Sequence, residues 1–149
     1  MSQVMFVGAL RRVAVAVSLG AVTFAAPSAH AQHLVDHLTV TVRDAGGGAD
    51  GTYEVYCRGG RAERGYAGLH PDPGGACRAV ARGARDGGGD AFAAVPRGSV
   101  CTMLYGGPGT ARVTGSWAGR SVDAEFDRSD GCEMARWDRL VPLLPDLRR

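Results

Sequence analysis

The residues of this 149-residue chain that could do chemistry are four cysteines, a few histidines and scattered acids. A hydrolytic site needs a nucleophile, a base and a group that orients the base. His70 is the one histidine in the body of the chain, and it precedes Pro71 in a stretch that reads as loop. Cys57, Cys77, Cys101 and Cys132 form an even set. In a small exported domain such a set reads as two disulfides, which removes the thiols from nucleophilic catalysis. Counting alone leaves three pairings open. The spacings are too wide for a zinc site, which needs close Cys or His pairs. Asp127, Asp130 and Glu133 cluster, as do Asp86 and Asp90, but acids in loops are ordinarily solvated and a calcium site is not expected. Paired carboxylates could cleave a glycosidic bond. A domain this small has little room for a sugar cleft, and Trp117 and Trp137 read as packing residues. No enzyme, cofactor or metal site is expected.

The remaining candidate is a surface. Val100-Cys101-Thr102-Met103-Leu104-Tyr105 is an extended, largely apolar segment that ends at the break Gly106-Gly107-Pro108-Gly109. Apolar residues beside a break are often core. If exposed, the segment has the makings of a protease-binding loop. A disulfide-bound cysteine would stand at its start.

The elements that must position this segment lie in a short exported chain. Arg11 and Arg12 precede an uncharged run from Val13 to Ala26, and Ala29-His30-Ala31 follows. That order is a secretory signal peptide, residues 1–31, with a cut expected after Ala31. The run is well short of the roughly 20 residues of a membrane-spanning helix, and the surroundings of Arg11-Arg12 fit a twin-arginine signal poorly. Removing 31 of 149 residues leaves 118, one domain, residues 32–149. There is no lysine, and two of the 17 arginines leave with the signal. The remaining 15 arginines balance 15 acids, so nothing supports nucleic-acid binding, which needs clustered positive charge.

Alternation from His37 to Arg43 predicts a strand, and Thr52 to Cys57 predicts a second, antiparallel one across the glycine-rich turn 44–51. Arg58 to Gly74 reads as loop. Ala76 to Ala84 favours a short helix with Ala76, Val80 and Ala84 on one face. The glycines of 85–90 predict a flexible loop. Ala111–Trp117 and Arg120–Phe126 flank Ala118-Gly119, a hairpin signal. Cys132 to Trp137 suggests one helical turn. Pro142 within Leu140–Leu144 suits an edge or irregular packing. The sum is one antiparallel sheet with one or two short helices.

Several blocks resemble the Streptomyces subtilisin inhibitor family. They are LTV at Leu38–Val40, Cys57 near a strand end, His70-Pro71-Asp72-Pro73 with Ala76-Cys77, and the run Cys101-Thr102-Met103-Leu104-Tyr105. Gly115 with Trp117, Gly119-Arg120, Phe126 and Cys132-Glu133-Met134 follow. The resemblance spans about residues 38–144. It implies an α+β fold, a single five-stranded antiparallel sheet with two short helices. It also implies the pairings Cys57–Cys77 and Cys101–Cys132, a reactive loop of Cys101, Thr102, Met103, Leu104 and Tyr105, and a scissile bond Met103–Leu104. The implied function is secreted, substrate-like inhibition of subtilisin-type serine proteases, by a homodimer paired through its sheets. No membrane or nucleic-acid partner is implied. The alternative is a non-inhibitory secreted binding module on the same fold. In its favour, Gly-Gly-Pro-Gly stands where family members have an acid and Pro, and glycine loosens a loop whose value is rigidity. The tail from Pro145 onward extends past the family's usual end and is expected to be disordered.

Overall fold

The computed structural model describes residues 35–63, 70–86 and 88–148. The expected signal peptide lies outside the described residues. Strand β1 (Asp36–Arg43) alternates buried and half-buried positions, with Leu38, Val40 and Val42 inward. A period of two is what a strand shows when one face is covered. β1 pairs antiparallel with β2 (Gly51–Arg58) on one side and β4 (Thr110–Trp117) on the other, so that Val40 faces Tyr53 and Val113.

β4 turns back into β5 (Arg120–Phe126) through Ala118-Gly119, as the sequence predicts. Both turn residues have positive φ, 51° and 74°, as a two-residue type I′ hairpin requires. That conformation costs a non-glycine residue energy. The buried Asp36 carboxylate accepts the Ala118 N–H at 2.7 Å and holds it there. A two-residue strand, β3 (Arg61–Ala62), pairs with the end of β2. The result is a five-stranded antiparallel sheet of order β3-β2-β1-β4-β5.

Helices α1 (Pro73–Asp86) and α2 (Gly131–Arg139) give Ala76, Cys77, Val80 and Trp137 to the same core as Leu38, Val55, Val113 and Phe126. The fold is α+β, with disulfides Cys57–Cys77 and Cys101–Cys132. The first ties β2 to α1.

Four expectations need correction. The stretch from Arg58 to Gly74 is not all loop: it contains β3 and the start of α1. α1 begins at Pro73, because Asp72 caps it. The Asp72 carboxylate accepts the Gly75 N–H at 2.8 Å, and proline is pre-set for a first helical position. α1 also continues through Arg85 and Asp86, which the sequence assigns to loop. α2 is nine residues, not one turn, since Asp130 accepts the N–H groups of Cys132 and Glu133 and starts it firmly. The tail is tied down: the buried Trp137 indole donates to the Pro145 carbonyl at 2.8 Å, and Leu147 packs on the core. Leu140, Leu143 and Leu144 are buried around Pro142 without forming a strand.

Candidate functional site

Large exposed apolar side chains among the described residues are Val100, Met103, Leu104 and Tyr105, all from one segment of six residues. Met103 is 95% exposed, although an isolated methionine gains by burial. Contiguous apolar exposure of this kind marks an interaction surface. The segment belongs to neither helix nor strand, so its backbone groups have no ladder to complete.

The loop is nonetheless fixed at both ends against one short stretch, residues 128–134. At its start, the disulfide Cys101–Cys132 holds the two Cα atoms 5.4 Å apart. The Gly131 N–H donates to the Thr102 carbonyl at 3.0 Å. At its end, the Gly106 N–H donates to the Arg128 carbonyl at 2.8 Å, and Arg128 Nε donates to the Gly106 carbonyl at 3.1 Å. Only Met103, Leu104 and Tyr105 lie between these two anchors. Both contacts occur at glycines because the approach is close. A Cβ at Gly131 would collide with the Thr102 side chain, and one at Gly106 with Met134. The looseness expected of Gly106-Gly107 is therefore confined to Gly107, which has φ 107° and open space around it.

Arg128 is the loop-holding residue that the sequence hides. It is 5% exposed, pairs through Nη1 with Asp138 at 3.1 Å, and lies 5.7 Å above the Trp137 ring. Arg136 acts similarly on the N-terminal approach to the loop. Its guanidinium donates to the carbonyls of Phe92, Ala93 and Glu125, pairs with Glu133, and sits 4.1 Å over the Phe126 ring. An arginine in a sequence reads as solvated charge, and no local pattern separates these two from the exposed ones.

The other candidate residues are taken up structurally, except Asp86, which is exposed at the end of α1. His70 Nδ1 accepts the Asp72 N–H at 3.1 Å, so Nε2 carries the proton and donates to the Leu143 carbonyl at 3.1 Å. Neither nitrogen remains to act as a base. Asp130 caps α2, Glu133 pairs with Arg136, Asp127 accepts from Ser129, and Asp90 accepts the Phe92 N–H. Cys101, Asp130 and Cys132 come close enough together to suggest a metal site, but both sulfurs are bonded to each other and the carboxylate serves the cap. Trp117 and Trp137 are both in the core.

The arrangement can present an extended apolar peptide, backbone and side chains outward, without ordering it anew. No protein-family model and no curated protein matches the chain. Among solved structures, it is similar to Streptomyces caespitosus sermetstatin in complex with Bacillus licheniformis subtilisin, with 25% identity, 72% of this chain and 96% of that chain covered, and a TM-score of 0.36.

Proposed function

We propose that the chain is a secreted inhibitor of subtilisin-type serine proteases, presenting Thr102–Tyr105 as a substrate held too firmly to leave. The observation that carries this reading is the conjunction at Met103: an almost fully exposed apolar side chain, in a non-ladder segment, with rigid anchors one residue before and three residues after it. The sequence motifs from His70-Pro71-Asp72-Pro73 to Cys132-Glu133-Met134 support the same reading.

Met103 fills the protease's primary pocket and Met103–Leu104 is the scissile bond. Thr102 and Cys101 lie along the protease as an extended strand. Because the loop is already ordered, association loses little conformational entropy. Attack on Met103–Leu104 gives an acyl-enzyme whose leaving amine, Leu104, remains tethered through Gly106 and cannot diffuse away. Reattack by that amine then competes with water. Pairing of two copies through their sheets belongs to the same reading. Sedimentation at micromolar concentration should give twice the mass of the 32–149 chain.

The test is a titration of subtilisin with oxidised 32–149. Linear loss of activity to near completion at a fixed molar ratio is the expected result. Full activity in the presence of a large excess of folded protein would overturn the reading.

A further inference from the structure

Resting on that reading, we infer that Arg128 is a positioning residue that decides whether the loop behaves as an inhibitor or as a substrate, by clamping Gly106 from both sides. The two halves of the clamp use different groups of Arg128 and support one another, because the side chain holds Gly106 against the carbonyl that its N–H reaches. The Arg128 carbonyl accepts the Gly106 N–H, and the Arg128 side chain donates to the Gly106 carbonyl. One peptide unit on each side of Gly106 is thus fixed to a single residue of another segment.

The location explains why a buried charge is used. Gly106 opens the sequence Gly-Gly-Pro-Gly, whose first two residues lend the backbone no stiffness of their own. A neutral donor would give a weaker bond than a guanidinium, whose charge-assisted hydrogen bonds are the stronger kind. The guanidinium is itself held by Asp138 on α2 and by the face of Trp137, the largest fully buried side chain of the core. The chain of support runs from core to α2, to Arg128, to Gly106, and so to the amine side of Met103–Leu104. The acyl side has a separate anchor in Cys101–Cys132. Loss of Arg128 should free the leaving amine while leaving Met103 anchored, so the loop should still bind and should then be cut.

The experiment compares parent 32–149 with Arg128→Met, which keeps an unbranched apolar stem without the donors, and with Asp138→Asn, which leaves Arg128 but weakens its seat. Val80→Ala, on the buried face of α1 and outside the loop and its anchors, controls for general destabilisation. Each folded protein is incubated with catalytic subtilisin, and the rate of Met103–Leu104 cleavage is followed by mass. Amide exchange at Gly106 and Gly131 is measured without protease. The expected result for Arg128→Met is cleavage faster by roughly ten- to a hundredfold, the range for losing a hydrogen bond from a charged donor. Gly106 exchange should rise and Gly131 exchange should hold, with Asp138→Asn intermediate. Cleavage in Arg128→Met no faster than in Val80→Ala, or Gly106 exchange equal to the parent's, overturns the inference. If the parent itself fails to inhibit subtilisin, the inhibitor reading falls, while Gly106 exchange in Arg128→Met still decides the clamp.

Discussion

Met103 is the residue on which selectivity turns. An apolar side chain with nothing of its own chain around it contributes only through what it enters, so substitutions should change binding and leave folding untouched. Met103→Gly should weaken subtilisin inhibition by about 2 to 4 kcal/mol, as removing a central anchor does. Met103→Lys should move inhibition toward trypsin-like proteases, whose pocket holds an acid. Inhibition constants against both enzymes check this, and unchanged selectivity would remove Met103 from the pocket. Asp36 allows a prediction about pH. Burial raises its carboxyl pKa above the ordinary 3.8, against the lowering effect of the Ala118 N–H. The folded state therefore holds this proton more tightly than the unfolded chain does. Ionisation costs stability as pH rises through the folded value, and the cost is absent below the unfolded one. Asp36→Asn should match or exceed the parent in stability at pH 7 and lose that advantage below about pH 4. Urea midpoints at pH 7 and pH 3 test it, and a larger deficit at pH 7 would show that the hydrogen bond outweighs burial. The cysteines could be read in the sequence as two disulfides because an even set in a small domain states its chemistry, whereas the exposure of Met103 could not, since apolar residues beside a break are often core. Arg128 and Arg136 could not, because their partners are carbonyls brought in from distant segments.

At the scale of elements, legibility follows local chemistry. The β1 and β2 alternations and the Ala118-Gly119 turn carry their structure in two to eight adjacent residues, and they stand where the sequence puts them. α1 starts three residues before the sequence puts it because Asp72-Pro73, a cap and first-turn pair, lies inside a glycine- and proline-rich stretch. Asp72→Ala should cost about 1 kcal/mol of stability, measured by denaturant unfolding. β3 is two residues long and exists only because β2 is beside it, so no local pattern could reveal it. The loop and the 128–134 stretch form a second unit of this kind, built from partners 22 to 31 residues apart. Replacing Cys101 and Cys132 together by serine should lower stability by about 3 to 4 kcal/mol for a closed loop of this length. It should also turn the loop into an ordinary substrate. Thermal unfolding and a cleavage time course would show both effects, and slow cleavage of the unbridged variant would mean that the hydrogen bonds suffice.

For the whole molecule, the proposed cut falls between the two halves of the sheet. β1 and β2 lie before Met103–Leu104, and β4 and β5 lie after it. Yet β1 and β4 pair over seven positions, His37 with Ser116 through Arg43 with Thr110. Cys101 and Cys132 also lie on opposite sides of the cut and are bonded. Cleaved protein should therefore run as one species on a non-reducing gel and as two under reduction. Its far-ultraviolet dichroism should match the intact chain. Dissociation without reductant would contradict the bridge, and a changed dichroism would contradict the sheet pairing.

The exposure of Met103 also sets a vulnerability. A thioether open to solvent is open to peroxide, and oxidation makes it a polar sulfoxide that an apolar pocket rejects. Met134, the other methionine among the described residues, is half-buried beside Gly106. Mild oxidant should thus silence the loop first and leave the fold in place, and a methionine sulfoxide reductase should restore it. The residue that makes the contact would then also report the oxidative state of the surroundings in which protease and inhibitor meet.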